Sequence, residues 1–206
     1  MIHPTLSNGA KFSDLTIGLF GGSFNPAHKG HLELSQYAID KLGLDQVWWL
    51  VSPQNPLKSA SETAPIAERI SEALSISSID PRITVTDLET QLGTTYTIET
   101  LRALKQIFDK TRFIWLMGSD NLEQFHLWHE WEEIAGTVPI AVFRRPGYAV
   151  DGPESPAMKR FAPQRQPVEQ AKFLAHMKPP VWLIMDNPIY NISATEIRNK
   201  RNANKT

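Results

Sequence analysis

The stretch Gly21-Gly22-Ser23-Phe24-Asn25-Pro26-Ala27-His28-Lys29-Gly30-His31 directly follows an apolar run at 15–20. It reads as a buried strand, a glycine turn, and a helix whose first turn carries two histidines. Glycine lets backbone come close to a ligand. A helix N-terminus offers unpaired N–H groups and a positive dipole end to phosphate. His28 and His31 sit three apart, so a helix beginning near Ala27 puts both on one face. The turn is not a P-loop, because no Gly-Lys-Ser/Thr follows at the required spacing, and it lacks the Gly-x-Gly-x-x-Gly of a dinucleotide site. By residue type alone it is equally a tight turn before a solvated His pair, or half of a zinc site. Zinc would need further ligands, and the chain has no cysteine.

Near the far end, Asn191-Ile192-Ser193-Ala194-Thr195-Glu196-Ile197-Arg198 follows a strand-like run at 181–185 and Pro188. Ser193 is a good N-cap, and Glu196 three residues on completes a capping box. Between these ends, further strands are expected at 46–51, 82–87, 112–117 and 139–143, most of them nearly continuous apolar runs suited to parallel strands covered on both faces. Helical patterns occupy 29–42, 65–77, 97–109 and 121–135, the last broken near Leu127. The alternation implies an α/β fold, a single doubly wound domain over 1–206 with a mainly parallel sheet and ligands at the carboxyl ends of its strands. Residues 1–14 form an N-terminal extension. Residues 151–180 hold six of the fifteen prolines and read as a mobile excursion with a short helix around 168–177. The basic tail 198–205 reads as a fraying terminus.

Composition narrows the setting. A net charge of −1 gives no field for a nucleic-acid polymer or an anionic membrane. The polar start lacks a signal peptide's apolar core, and no apolar run reaches a membrane span. A chain without cysteine fits the cytoplasm.

The two terminal stretches resemble the HxGH and ISSTxxR-type signatures of the nucleotidyltransferase superfamily. Its members move a nucleotide from a triphosphate onto a phosphate or similar acceptor. Four internal blocks narrow the resemblance to bacterial nicotinate mononucleotide adenylyltransferases. These are Ser52-Pro53-Gln54-Asn55-Pro56-Leu57-Lys58, Thr94-Thr95-Tyr96-Thr97, the run from Gly118-Ser119-Asp120 to Trp128-His129-Glu130-Trp131, and Arg144-Arg145-Pro146-Gly147. The match runs from about Leu15 to Arg198. Asn25 stands where an aspartate is common, a departure expected to be tolerated.

The resemblance implies that the AMP part of ATP is joined to nicotinate mononucleotide, giving deamido-NAD and pyrophosphate, with Mg2+ riding on the triphosphate. It implies catalytic roles for His28, His31, Lys58 and Arg198. ATP would be bound by Gly21, Gly22, Ser23, Phe24, Gly118, Asp120, Ile192 and Ser193. The acceptor would meet Asn25, Thr95, Tyr96, Thr97, Trp128 and His129, with Trp128 stacking on the pyridine ring. The backbone N–H groups of Thr97 and His129 would face its carboxylate. Without the resemblance, Trp128 and Trp131 read as core aromatics of a helix, and Asp120 as a helix cap. The roles of Arg144 and Arg145 stay open, and a homo-oligomer is compatible with the sequence. Alternatives are a dual-specificity or nicotinamide mononucleotide enzyme, a phosphopantetheine adenylyltransferase, and a non-catalytic nucleotide-binding regulator.

Overall fold

The computed structural model describes residues 3–53, 63–145, 147, 155–188 and 192–203. Seven parallel strands form one sheet: β1 (Thr16–Gly22), β2 (Gln46–Val51), β3 (Ile83–Thr86), β4 (Arg112–Gly118), β5 (Ile140–Phe143), β6 (Arg165–Gln166) and β7 (Trp182–Met185). Their order is β3-β2-β1-β4-β5-β7-β6. The apolar runs become strands buried on both faces because helices cover each side. One layer packs Leu19, Trp48 and Trp115 against Leu101, Leu104 and Phe108. The other packs Phe20, Trp49 and Leu116 against Leu32, Ala38 and Leu42.

Chain order reverses at β1, between β2 and β4, which is where an open α/β sheet leaves a crevice. The register shows how it opens. Pairing of β1 with β4 ends at Phe20 opposite Leu116, whereas pairing with β2 continues to Gly22 opposite Val51. Gly21 and Gly22 therefore stay with β2 while the end of β4 diverges. Gly21 is required here, since a Cβ would lie 2.6 Å from the Trp115 ring.

The helices expected at 29–42, 65–77 and 97–109 appear as α1 (Lys29–Leu42), α2 (Ile66–Ser77) and α4 (Thr97–Ile107), with a short α3 (Leu88–Leu92) between the last two. The pattern at 121–135, expected to break near Leu127, appears as α5 (Ser119–Gln124), a 3-10 turn (Phe125–Leu127) and α6 (Trp131–Thr137). Extended backbone at Trp128 and a left-handed Glu130 (φ 49°) interrupt it. The proline-rich stretch is also more structured than its composition suggests. Its described part forms α7 (Pro156–Arg160), β6 and a 3-10 run (Val168–His176), and buries Ala157, Met158, Phe161 and Leu174. The basic tail does not fray at Arg198: α8 (Ala194–Ala203) carries it on, and Arg201 pairs with Glu72 at 2.7 Å. In the N-terminal extension, Phe12 is buried edge-on against Trp48 and Phe108.

One buried cation ties the crevice rim together. Arg69 on α2 is 1% exposed and donates to four carbonyls: Ala64 (2.8 Å), Ser23 (2.7 Å), Ser52 (2.8 Å) and Pro53 (3.0 Å). It thus pins the glycine turn to the exit of β2. Removing the guanidinium strands buried carbonyls, each at a cost of about 1–3 kcal/mol. Arg69→Met is expected to lower the urea-unfolding free energy by at least ~3 kcal/mol, and a loss under ~1 kcal/mol would contradict this role.

Candidate active site

Beyond the ends of β1 and β4 lies a cavity of about 370 Å³. Its first wall is the glycine turn and the start of α1. Phe24 occupies the left-handed region at φ 44°, a conformation costing a bulky residue roughly 1–3 kcal/mol. Packing holds it there: its ring stacks on Trp49 at 5.0 Å and contacts the His31 ring at 5.0 Å. Although Phe24 borders the cavity, its side chain is 3% exposed and acts as a platform under His31.

The backbone N–H of His28 donates to Nδ1 of His31 at 3.1 Å, closing the first turn of α1 where a capping-box glutamate often sits. Because Nδ1 accepts, a neutral His31 carries its proton on Nε2. The two rings lie 3.8 Å apart. Burial, then the adjacent positive Arg145, lowers the His28 pKa to about 4. Burial, then His28 and Arg145, holds His31 well below its usual range, against the opposing backbone hydrogen bond. Both ring nitrogens of His28 are buried without a hydrogen-bond partner among the described residues. Buried polar atoms ordinarily have partners. The wall is therefore arranged to meet a polar ligand with neutral donors, beside a permanent positive charge.

The opposite wall comes from α4 and the segment after the 3-10 turn. Thr97 is the first residue of α4, and helix-start N–H groups lack intrahelical acceptors. Glu99 fixes the approach by accepting from Thr95 N–H (3.0 Å) and Tyr96 N–H (3.1 Å). The Tyr96 ring lies on the His129 ring at 4.4 Å, which brings the Thr97 and His129 segments side by side. Trp128 borders the cavity and meets Trp115 (6.3 Å, 86°) and Phe125 (5.5 Å, 71°) edge-on. Trp131 packs on the core through Phe125 and Phe161, the role its spacing suggested.

At the end of β4, Asp120 is in the first turn of α5 rather than its cap. Its Oδ1 lies 3.5 Å from Arg145 Nε. A Cβ on Gly118 would fall 2.2 Å from that Asp120 oxygen, which explains the glycine. The arginine pair divides: Arg144 turns to Asp186 at 3.4 Å, while Arg145 lines the cavity.

Of the remaining expected residues, Gly21, Gly22, Ser23 and Asn25 line the cavity, although Asn25 Oδ1 also accepts from Ala64 N–H at 3.3 Å. The Ser193 hydroxyl caps α8 by accepting from Glu196 N–H at 3.1 Å, and its neighbour Ala194 reaches the cavity. Ile192 adjoins Ser193 at the approach to α8. Arg198 donates to Asn25 O at 2.6 Å, tying α8 to the histidine turn. Lys58 lies outside the described residues.

Sequence reading missed three cavity-wall features. Trp115 lies under Gly21, its indole N–H without a partner among the described residues. Glu89 on α3 is 7% exposed, and its carboxyl is pushed up to about 7 by burial, against the Ser52 and Thr100 hydroxyls. Ser52 itself appeared only inside a quoted loop. No periodic signal marks a five-residue helix, so Glu89 had none.

Residues 19–200 match the family model described as cytidylyltransferase-like. The chain is 45% identical, over 90% of its length and 96% of the relative's, to a Rhizobium etli protein named "probable nicotinate-nucleotide adenylyltransferase". It is 45% identical, over 91% of its length and 98% of the relative's, to a Caulobacter protein of the same name. Among solved structures, Plasmodium falciparum nicotinic acid mononucleotide adenylyltransferase complexed with NaAD shares the fold. The TM-score is 0.68, covering 90% of this chain and 83% of that one at 18% identity.

The neutral histidine wall has a consequence for stability. Below pH 6.5 an unfolded His28 takes up a proton that the folded site refuses until about pH 4. The unfolded state then binds more protons, so this contribution falls as pH drops through that window. Glu89 works in the opposite sense, which makes a single-residue comparison the clean one. Between pH 7 and pH 4.5, the wild type is expected to lose on the order of 2 kcal/mol more stability than His28→Gln. Parallel losses in urea titrations would contradict the assignment.

Proposed function

The chain belongs to the nicotinate-nucleotide adenylyltransferases within the cytidylyltransferase-like family, and on that premise we propose how its cavity joins AMP to nicotinate mononucleotide. The supporting observation is that one cavity is bordered by the histidine turn, by Gly118 and Asp120, and by Thr97, Trp128 and His129.

In this reading the 5′-phosphate oxygen of the mononucleotide attacks the α-phosphorus of ATP in line and expels pyrophosphate. Catalysis rests on positioning and charge stabilisation, with no protein nucleophile. The glycine turn at Gly21 and Gly22 leaves room for the phosphates, which the start of α1 receives. His31 donates from Nε2 to oxygens of the reacting phosphorus as charge develops, and His28 supports it. Asp120 accepts the adenosine ribose hydroxyls beside Gly118. Lys58, Ile192, Ser193 and Arg198 secure the β- and γ-phosphates. Mg2+ riding on the triphosphate would neutralise phosphate charge, with no side chain assigned to hold it. Among the described residues, no three His, Cys, Asp or Glu side chains cluster to hold a metal ion. No described helix is long and apolar enough to cross a membrane.

Trp128 stacks on the pyridine ring. Two backbone N–H groups, Thr97 and His129, converge on its carboxylate. An acid satisfies both with charge-assisted bonds, whereas an amide turns a donor toward one of them or leaves it unpaired. Two such effects of ~1.4 kcal/mol each give a hundredfold. Pyrophosphate release with ATP and Mg2+ is therefore expected to favour nicotinate over nicotinamide mononucleotide by at least ~100-fold in kcat/KM. Comparable values would remove the carboxylate pocket and leave a dual-specificity enzyme.

A further inference from the structure

Glu89 is a buried acid on the wall of a cavity assigned to anionic substrates, and the reaction outlined above gives it no task. Its carboxyl is held from two sides. Ser52 Oγ donates to Oε2 at 2.9 Å, and the Thr100 hydroxyl lies 3.5 Å from Oε1. A carboxylate accepts about four hydrogen bonds, so these two hydroxyls leave capacity toward the cavity that Glu89 lines.

The two neighbours also locate it. Ser52 N–H donates to Gly22 O at 3.0 Å, which places that side of Glu89 at the phosphate-facing turn. Thr100 lies one turn into α4, whose first residue is Thr97, at the end assigned to the pyridine carboxylate. The part of a mononucleotide between its phosphate and its ring is the ribose. A carboxylate there repels phosphate but suits neutral O–H donors, and a vicinal diol presents two.

We propose that Glu89 is a specificity residue whose carboxylate accepts the ribose hydroxyls of the acceptor mononucleotide. This rests on the adenylyl-transfer reading above. Burial withholds solvent from the carboxylate, and ligand hydroxyls restore the donors it lacks. The same bonds set the height of the sugar, and so aim the 5′-phosphate from a fixed pivot. Loss of a hydroxyl leaves a buried acceptor unpaired, the kind of error that polar sites reject most strongly.

The test is steady-state pyrophosphate release by the full chain with nicotinate mononucleotide and its 2′-deoxy and 3′-deoxy counterparts, for wild type and Glu89→Gln. Wild-type kcat/KM is expected to fall at least ~10-fold on loss of either hydroxyl. Glu89→Gln should lose a similar factor on the ribo-acceptor, a smaller factor on each deoxy acceptor, which keeps only one of the two hydroxyls, and keep its KM for ATP. A proportional loss on all three acceptors would make Glu89 merely structural and overturn the proposal. If the variant does not fold, the wild type still decides, since indifference to both hydroxyls overturns the proposal by itself. Wild-type turnover of the ribo-acceptor reports separately on the reaction: if it proceeds without discrimination, only the role of Glu89 falls; if no acceptor is used, both fall.

Discussion

The geometry of this cavity depends on one buried guanidinium. Among the described residues, Arg69 has no carboxylate hydrogen-bond partner, and its charge is spread over four backbone carbonyls. Burial pulls its pKa down, yet arginine stays charged where lysine would yield its proton. Its planar fork reaches carbonyls of the glycine turn and of the β2 exit together. Because Ser23 and Ser52 are held by the same group, the splay between β1 and β4 is built into the fold before any ligand arrives. Phe24, in the left-handed region, is kept there by Trp49, and it in turn supports His31.

From that scaffold the site inherits an unusual electrostatic state. Two adjacent histidines remain neutral because burial and Arg145 both disfavour their protonation. In the proposed adenylyl transfer, a wall made of imidazolium would grip ATP and pyrophosphate alike. A wall of neutral donors, backbone amides and one nearby arginine discriminates more by geometry. Interactions that strengthen as charge develops on the reacting phosphorus raise turnover, whereas uniform grip does not. The far wall works similarly, with backbone N–H groups positioned by Glu99 and by the Tyr96–His129 contact.

Much of this was legible in the residues. Nearly continuous apolar runs suited strands covered on both faces, and the β-α alternation implied a doubly wound parallel sheet, whereas the strand order β3-β2-β1-β4-β5-β7-β6 came only with the structure. The glycine turn and the His pair announced themselves because backbone approach and helix-start chemistry constrain residue type strongly. Short elements did not. α3, α7 and β6 have five, five and two residues, too few for a period to show. The break between α5 and α6 was expected near Leu127, but without glycine or proline its backbone geometry was not legible. Glu130 takes a left-handed backbone where its side chain pairs with Arg102, a tertiary constraint with no local signature. Glu89 and Arg69 escaped for a related reason: an isolated charged residue reads as surface until packing shows otherwise.

On the proposed reaction, a neutral His31, its proton fixed on Nε2 by the His28 backbone, stabilises the reacting phosphate. Turnover of His31→Ala, measured beside its ATP affinity, tests this most directly. The expected result is a kcat lower by at least ~100-fold with ATP binding within a few-fold of wild type. Near-normal kcat, or a loss confined to ATP affinity, would contradict it.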